Sequence, residues 1–332
     1  MAGNNSAREP LIAYLITVHT EPEIFGRLVR ALAAPWTRFF VNVDAHVPIE
    51  PFAEQVQSLA NVALIDNRVA VNWAGFSQAE ATLRMLRAAF GTEEPFARYV
   101  LLSGACYPVA GNLAIRDVLC SSEIEYMSAE PMPDPRRTKA ITRLTRWHFE
   151  GGQRRKGTRA ALIRVLNGIT RHGPPRSIAC GLAGLAPYCG SNWWAISDRA
   201  VRLILDTVEA RPKLVEFFRY TDCPDECFFQ TILSNSALSQ NLGRCLTFTD
   251  WTAKGRGPRL IDDCHLNWLL DGHPPPLGII QQPYLFARKF TSANARLLGR
   301  IDAFRRSQDA ALLRSALAGV AEPALARTAT FR

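Results

Sequence analysis

Between residues 11 and 130 the sequence alternates between short apolar runs and amphipathic stretches, and this alternation constrains the fold more than any other feature. The run LIAYLITV at 11–18 has the length and apolar character of a buried strand, whereas FSQAEATLRMLRAAF at 76–90 repeats its apolar residues at helical spacing. Strands that alternate with helices form a mostly parallel sheet with helices on both faces. The sequence therefore predicts an α/β fold with a mixed, mostly parallel central sheet. The predicted strands are 11–18, 38–44, 62–66, 98–103 and 124–128, and the predicted helices are 22–33, 76–90 and 111–120.

The rest of the chain holds fewer recognisable elements. Residues 190–205 have the pattern of a turn followed by a helix, and 272–278 form a Pro/Gly-rich loop. At the start of the helix predicted at 76–90, Ser77 and Glu80 have the spacing of a capping box. The predicted organisation is a disordered N-terminus at 1–9, one domain at 10–290, and a C-terminal helical extension and tail at 291–332.

Polar or small residues follow several of the predicted strands. They are His19, Asp44, Asn67 with Arg68, and Ser103 with Gly104. In parallel sheets of this kind, ligands bind beyond the carboxyl ends of the strands. The sequence therefore predicts a nucleotide-type cleft within the first 110 residues.

The net charge of +9 is concentrated in one part of the chain, the basic segment 136–176, which has 12 Lys and Arg residues and a single acid. This distribution argues against a nucleic-acid-binding protein and favours a local anionic partner. The segment is either a solvated basic face or a binding surface for an anionic acceptor carrier or an anionic membrane. In the second case, neutralising Arg154, Arg155 and Lys156 is expected to weaken acceptor or liposome binding and to leave the affinity of the strand-end cleft for its nucleotide unchanged.

Targeting signals are absent from the sequence. No apolar run is long enough to span a membrane, and the N-terminus has no secretory cleavage pattern. We expect a cytoplasmic protein that could contact the membrane from its inner face. The eight cysteines form no CxxC pair, so we expect no zinc site and mostly free thiols.

Common catalytic signatures are also missing. There is no GxGxxG after a strand, no P-loop, no HExxH, no GxSxG and no DxD after a strand. A DxD pair usually holds the metal ion that neutralises the diphosphate of a sugar nucleotide. An enzyme without that metal needs fixed cations, and Arg259, Arg288 and Lys289 are the candidates because arginine and lysine both suit phosphate oxygens.

The stretch YTDCPDECFFQTILSNS at 220–236 places Asp225 and Glu226 at the start of a predicted helix. One interpretation is capping, since Pro224 suits the first helical position and acids stabilise the first turn. The other is that Glu226 is a general base at the mouth of a pocket. The two interpretations are compatible, because a helix N-terminus keeps a carboxylate ionised.

Eight motifs in a fixed order resemble one known family. They are AYLITVH (13–19), FVNVD (40–44), VNWAGFSQAEATL (71–83), LLSGACYP (101–108), GSNWWAIS (190–197), CPDECFFQTILSNS (223–236), DW (250–251) and FARKF (286–290). This order is similar to that of the core-2/I-branching β-1,6-N-acetylglucosaminyltransferases, whose family also contains the peptide O-xylosyltransferases. The resemblance covers roughly residues 10–290, and the short chain, without anchor or stem, resembles the prokaryotic branch.

The resemblance implies a GT-A-like fold and inverting sugar transfer from a UDP-sugar to a glycan, glycolipid or peptide acceptor, with no metal ion and no other cofactor. It implies that Glu226 is the catalytic base and that Lys289 replaces the metal at the diphosphate, helped by an arginine that we place at Arg259. The expected donor-binding residues are Val18, His19, Val43, Asp44, Trp73, Gly75, Ser103, Gly104, Arg259, Arg288 and Lys289. The expected acceptor-binding residues are Glu130, Trp193, Trp194, Asp225 and Trp251.

Several alternatives stay open at this point. One of Trp193 and Trp194 is expected to face a sugar ring and the other to lie in the core, while Trp251 and Glu130 could each be ordinary surface residues. The family usually has aspartate where this chain has Cys106, and a thiol cannot accept hydrogen bonds as a carboxylate does. In the family, two roles are open for that aspartate: it orients a sugar, or it only stabilises a turn. The leading function is transfer of N-acetylglucosamine in glycan or surface polysaccharide synthesis; the alternatives are xylose transfer and a non-catalytic binding relic.

Overall fold

The computed structural model describes residues 10–92, 94–133, 140–153, 155–252, 257–270 and 284–326, with side chains as far as residue 316. The strands, numbered along the chain, are β1 (Leu11–Val18), β2 (Thr37–Val43), β3 (Val62–Leu64), β4 (Phe96–Ser103), β5 (Cys106–Pro108), β6 (Glu130–Pro131), β7 (Tyr188–Cys189), β8 (Ala195–Ser197), β9 (Thr247–Thr249) and β10 (Phe286–Arg288). The helices are α1 (Pro22–Leu32), α2 (Glu50–Val56), α3 (Ser77–Phe90), α4 (Asn112–Cys120), α5 (Thr142–Thr145), α6 (Thr158–Thr170), α7 (Ile178–Gly181), α8 (Asp198–Ala210), α9 (Pro212–Arg219), α10 (Phe228–Ser234), α11 (Asp263–Leu269) and α12 (Ala295–Ala326).

The central sheet has the strand order β3-β2-β1-β4-β8. Strands β1 to β4 run parallel, and β8 pairs antiparallel with β4. Alternate residues of β1 belong to different cores: Tyr14 and Ile16 pack on one face of the sheet, and Ala13 and Leu15 on the other. A strand buried on both faces is a continuous apolar run, which is why the sequence pattern was readable. The predicted α/β fold with a mixed, mostly parallel sheet is confirmed.

Strand predictions based on longer apolar runs match the structure, and two short elements differ. The run at 11–18 is β1 from end to end. The strand predicted at 124–128 is wrong, because only Glu125 and Tyr126 form isolated bridges, to Leu242 and Ala195. Within the predicted turn and helix at 190–205, the structure has the additional strand β8, whose three residues are too few to show a period.

The start of α3 differs from its prediction. Ser77 is the first helical residue, and its hydroxyl accepts a hydrogen bond from the backbone N–H of Asn72 at 2.7 Å. Its own N–H donates to Glu150 Oε2 at 3.0 Å, while Glu80 pairs with Arg84. The predicted capping box is therefore wrong. A carboxylate from the basic segment, 73 residues away in sequence, takes its place at the positive end of the helix.

The C-terminal part packs on the same domain. Strand β10 joins a second sheet in the order β5-β10-β9. Helix α12 is fixed through Asp302, which pairs with Arg27 at 2.7 Å and accepts from the Tyr107 hydroxyl at 2.8 Å. None of the described helices is long and apolar enough to cross a membrane. The predicted disorder at 1–9, the predicted loop at 272–278 and the tail beyond residue 326 lie outside the described residues.

Candidate active site

The carboxyl ends of β1, β2 and β4 meet at one edge of the central sheet. The Asp44 N–H donates to the Val18 carbonyl at 2.8 Å, and the Gly104 N–H donates to the Thr17 carbonyl at 2.9 Å. A Cβ atom at Gly104 would lie 2.7 Å from Val18 Cγ1, so the close approach of these ends requires glycine. His19 is exposed at this edge. The side chains of Val18 and Val43 lie in the core, so only their backbone groups can reach a ligand.

Asp44 anchors the loop that follows β3 to this edge. Its Oδ1 accepts from the backbone N–H of His46 at 2.9 Å and from that of Val71 at 3.1 Å. The same carboxylate contacts the His46 ring nitrogen Nδ1 at 2.7 Å. Asp44 is thus an anchor between two loops as well as a strand-end residue, which its position in the sequence does not reveal.

The turn 72–75 leads from this edge to the segment that holds Glu226. Trp73 is 37% exposed, Ala74 adopts a left-handed backbone with φ of 62°, and Gly75 is buried beside Glu150. The Ala74 carbonyl accepts from the N–H of Cys223, whose φ of 50° is also left-handed. Such strained residues cost on the order of 1–3 kcal/mol each and cluster at functional sites. The turn is thus bonded to the segment that carries the predicted base, three residues before Glu226.

Glu226 ends a 3₁₀ turn, Pro224–Glu226, that precedes α10. It does not lie in the first turn of a regular helix, and no side chain of the described residues caps the start of α10. Its Oε2 accepts from Arg143 Nη1 at 2.6 Å, and the two side chains are 21% and 22% exposed. Burial by itself acts to lower the pKa of Arg143, but the interactions with Cys223 and Glu226 outweigh it and raise the pKa above its ordinary value. Arg143 stays charged beside the carboxylate.

The segment 190–193 connects the Glu226 turn to the predicted cations. The Gly190 N–H donates to the Glu226 carbonyl at 2.8 Å. A Cβ atom at Gly190 would lie 1.6 Å from the Ser128 carbonyl oxygen, so only glycine fits here. At the other end of the segment, the Trp193 ring lies 4.4 Å from the Arg288 guanidinium carbon, within cation–π distance.

The two neighbouring tryptophans have different environments. Trp193 is half-buried under Arg288, whereas Trp194 is only 2% exposed and its ring packs edge-on against Phe229. The acceptor role predicted for Trp194 is therefore corrected: its ring is part of the core and offers no face to a sugar. Trp193 is the member of the pair that borders the site.

Arg288 lies at the end of β10, where its Nη1 donates to Ser103 Oγ at 3.0 Å. Among the residues that the structure describes, no carboxylate forms an ion pair with it, and its Nε is buried without a hydrogen-bond partner. Burial lowers the pKa of Arg288, and the neighbouring Cys106 opposes this effect only in part. A cation in this position can bind an anionic ligand without first breaking an ion pair with a carboxylate of the described residues.

Cys106 stands opposite Arg288 in the register between β5 and β10. Its Sγ accepts from the Ser103 N–H at 3.3 Å, and the residue is fully buried. The thiol thus closes the turn at Ser103, as a purely structural residue would. It also leaves Arg288 without the carboxylate that the family pattern leads one to expect at this position.

The other predicted cations lie close to β10. The Lys289 carbonyl accepts from the Ile261 N–H at 3.0 Å, which brings the chain around Arg259 next to it. Arg259 itself is 53% exposed and pairs with Asp262 at 2.8 Å. Arg259 therefore lies on the surface with a carboxylate partner, whereas Arg288 is half-buried beside Trp193. Arg288 fits the role of fixed cation better.

The remaining predicted acceptor residues are spread around the same region. Glu130 pairs in the β6–β7 ladder with Cys189, next to Gly190, and is half-buried. Asp225 is buried, and Trp251 is 65% exposed. Within the described part of the chain, no three His, Cys, Asp or Glu side chains cluster as a metal ion would need.

The basic segment contacts the candidate site at three places. Arg143 pairs with Glu226, Glu150 bonds to the start of α3, and Arg155 Nη2 donates to the Val71 carbonyl at 3.2 Å while contacting the His46 ring. The segment therefore lies over the site and is not a separate appendage. Arg155 therefore adjoins the Asp44 loop, and the expected effect of neutralising the segment stays a prediction. Arg154 lies outside the described residues.

Comparison with known proteins identifies relatives of this chain. The chain matches the Core-2/I-Branching enzyme family over residues 12–268. It is 22% identical to human "probable beta-1,3-galactosyl-O-glycosyl-glycoprotein beta-1,6-N-acetylglucosaminyltransferase 7" over 290 residues, which is 84% of this chain and 64% of the relative. It is 25% identical to "xylosyltransferase 1" of Canis lupus familiaris over 311 residues, 88% of this chain but only 30% of the relative. The match spans most of this chain and confirms the resemblance seen in its motifs: the chain belongs to the Core-2/I-Branching enzyme family.

Proposed function

We propose that this protein is an inverting glycosyltransferase that moves N-acetylglucosamine or a related sugar from a UDP-sugar to an acceptor hydroxyl without a metal ion. The observation that carries the proposal is the segment 190–193, which is bonded to the Glu226 turn at one end and touches Arg288 at the other. Four consecutive residues span at most about 11 Å between their first and last Cα atoms. The Glu226 turn and the half-buried Arg288 thus contact the two ends of one short segment, and Arg288 also bonds to Ser103 at the strand-end edge.

In the proposed reaction, the acceptor hydroxyl oxygen attacks the anomeric carbon on the side opposite UDP. The bond between that carbon and the diphosphate oxygen breaks, and UDP leaves with the electron pair. Glu226 takes the hydroxyl proton, a contribution typically worth about 10²–10⁴ in rate. The pairing with Arg143 at 2.6 Å keeps this carboxylate ionised and oriented.

Arg288 and Lys289 are the proposed partners of the leaving diphosphate. Charge develops on that group in the transition state, and fixed cations in a water-poor site stabilise it without reorganisation. The Arg288 guanidinium has no carboxylate partner among the described residues, so its charge is available. The strand-end backbone at Val18, Val43 and Asp44 is the proposed place of the uridine.

Turnover measured in the presence and absence of EDTA tests this proposal. We expect hydrolysis or transfer of a UDP-sugar to continue in EDTA and to fall by about 10²–10⁴ in Glu226→Gln. Glu216→Gln is the matched control, because Glu216 is 60% exposed and its ion pair in the described part of the chain is with Arg219 on its own helix. Turnover that stops in EDTA contradicts the metal-independent mechanism, and full activity of Glu226→Gln contradicts the role of the base.

Donor identity needs a separate measurement. Xylose is the second candidate sugar, favoured by the xylosyltransferase relatives and by the motifs FFQTILSNS and FARKF. Thermal unfolding with a panel of UDP-sugars distinguishes the candidates, since at equal concentration the ligand with the higher affinity stabilises the folded chain more. A UDP-sugar that binds but is never turned over, with any acceptor, would instead support a non-catalytic relic. The cytoplasmic localisation and the prokaryotic branch stay predictions.

A further inference from the structure

Helix α6 presents apolar side chains to solvent. Leu162, Val165, Leu166 and Ile169 are 69%, 59%, 38% and 65% exposed. Their spacing of i, i+3, i+4 and i+7 places them on one stripe of the helix. On the surface of a globular domain such a stripe normally faces the core, whereas the apolar stripe of α6 faces the solvent.

Polar contacts on the opposite face fix this orientation. The side chain of Asn167 exchanges two hydrogen bonds with the backbone of Phe149, at 2.8 and 2.9 Å. Arg164 Nη1 donates to the Gly152 carbonyl at 2.9 Å, and Ile163 packs closely on the same glycine. The inward face of α6 is therefore held by its own partners, and the apolar stripe points outward as a defined surface.

Positive charge surrounds the stripe. Lys156, Arg159 and Arg171 are exposed at the two ends of the helix, and the chain contains no Asp or Glu between residues 151 and 197. At the C-terminal end, Thr170 Oγ1 donates to the carbonyl of Trp147, whose ring is 42% exposed. An apolar stripe, basic flanks and an exposed tryptophan are the features of helices that lie in a membrane interface.

We propose that α6 docks this protein on an anionic membrane surface, with the four apolar side chains in the boundary between headgroups and acyl chains. A helix of 13 residues is about 20 Å long and lies in the interface plane. The charge distribution favours this occupant over a second copy of the chain, because a symmetric dimer through α6 would bring together two copies of segment 151–197, which contains basic residues and no acid. The proposal does not depend on the enzymatic activity.

Vesicle binding by the full chain tests the proposal. The probes are unilamellar vesicles of phosphatidylcholine alone and of phosphatidylcholine with one third phosphatidylglycerol. We expect binding to the anionic vesicles only, weakening as salt screens the charges. In Leu162→Gln with Ile169→Gln, loss of apolar insertion is expected to weaken binding by at least about 30-fold. The matched control is Leu312→Gln with Leu313→Gln on α12, where both leucines are also exposed; it should bind like the wild type.

A second pair of substitutions tests the charge separately. Arg159→Gln with Arg171→Gln should weaken binding to the anionic vesicles by about tenfold or more, since each basic residue near such a surface contributes about 1 kcal/mol. The proposal is overturned if the wild-type chain ignores the anionic vesicles, or if both pairs of variants, folded by circular dichroism, bind as the wild type does. A dimer in solution that Leu162→Gln with Ile169→Gln dissolves would assign the stripe to a second copy and would equally overturn it.

Discussion

Replacing Arg143 tests how the basic segment serves the candidate base. In Arg143→Met, the guanidinium that contacts Glu226 Oε2 at 2.6 Å is lost and an apolar side chain of similar length remains. Two unit charges about 4 Å apart attract by ~4 kcal/mol at an effective dielectric constant near 20. Exposed pairs contribute less than about 1 kcal/mol and broken buried pairs cost ~3–5 kcal/mol. With both side chains about one-fifth exposed, we expect a loss of ~1–3 kcal/mol.

The same energy orients the carboxylate in the transition state, so kcat should fall by about 5- to 150-fold. The KM for the UDP-sugar should stay unchanged, because Arg143 is not among the residues proposed to hold the donor. Steady-state kinetics and urea unfolding measure the two effects, and Arg143→Lys should recover part of both. Arg164→Met is the control, since Arg164 donates to the backbone carbonyls of Gly152 and Arg155. A folded Arg143→Met enzyme with wild-type kcat, or one impaired only in donor KM, would refute this reasoning.

Three further predictions concern stability. Asp309→Ala removes the carboxylate that accepts from two backbone N–H groups at the start of α4, and urea unfolding should show a loss of ~1–2 kcal/mol; an unchanged midpoint would contradict the cap. Glu150→Gln removes a charge from the N-terminus of α3 and should cost ~0.5–1 kcal/mol, an effect that high salt reduces; a salt-independent loss would point to packing instead. Burial lowers the pKa of His148 below its usual 6.5. Below pH 6.5 the unfolded chain therefore binds a proton at this residue that the folded chain does not bind, and the free energy of unfolding falls. The unfolding free energy should drop less between pH 7 and 5 in His148→Gln than in the wild type; equal drops would contradict the assignment.

Local patterns in the sequence predicted the scaffold well. A parallel strand buried on both faces, such as β1, is an uninterrupted apolar run, and its ends are visible in the sequence. The meeting of the strand-end residues could also be predicted from the strands, because parallel strands place their carboxyl ends at one edge of the sheet. Three-residue strands such as β8 carry too little periodicity to be found.

Long-range polar contacts were not predictable. Arg143 is 83 residues from Glu226, and Glu150 is 73 residues from Ser77, so no local motif connects either pair. The sequence showed only that the basic segment was charged, which suggested an external anion. In the structure, part of that charge serves the candidate site. Similarly, no pattern distinguished the core residue Trp194 from its neighbour Trp193 at the site.

The central claim is that Glu226 and Arg288 have separate roles in one cleft, with base and cation together replacing a metal. Calorimetric titration with UDP in EDTA, compared for Glu226→Gln and Arg288→Met, tests it most directly. The account predicts that Glu226→Gln binds UDP like the wild type, whereas Arg288→Met binds UDP at least about tenfold more weakly. The unfolding temperature of Arg288→Met should not drop, because the substitution removes a cation that has no carboxylate partner among the described residues. Undiminished UDP binding by folded Arg288→Met would contradict the account.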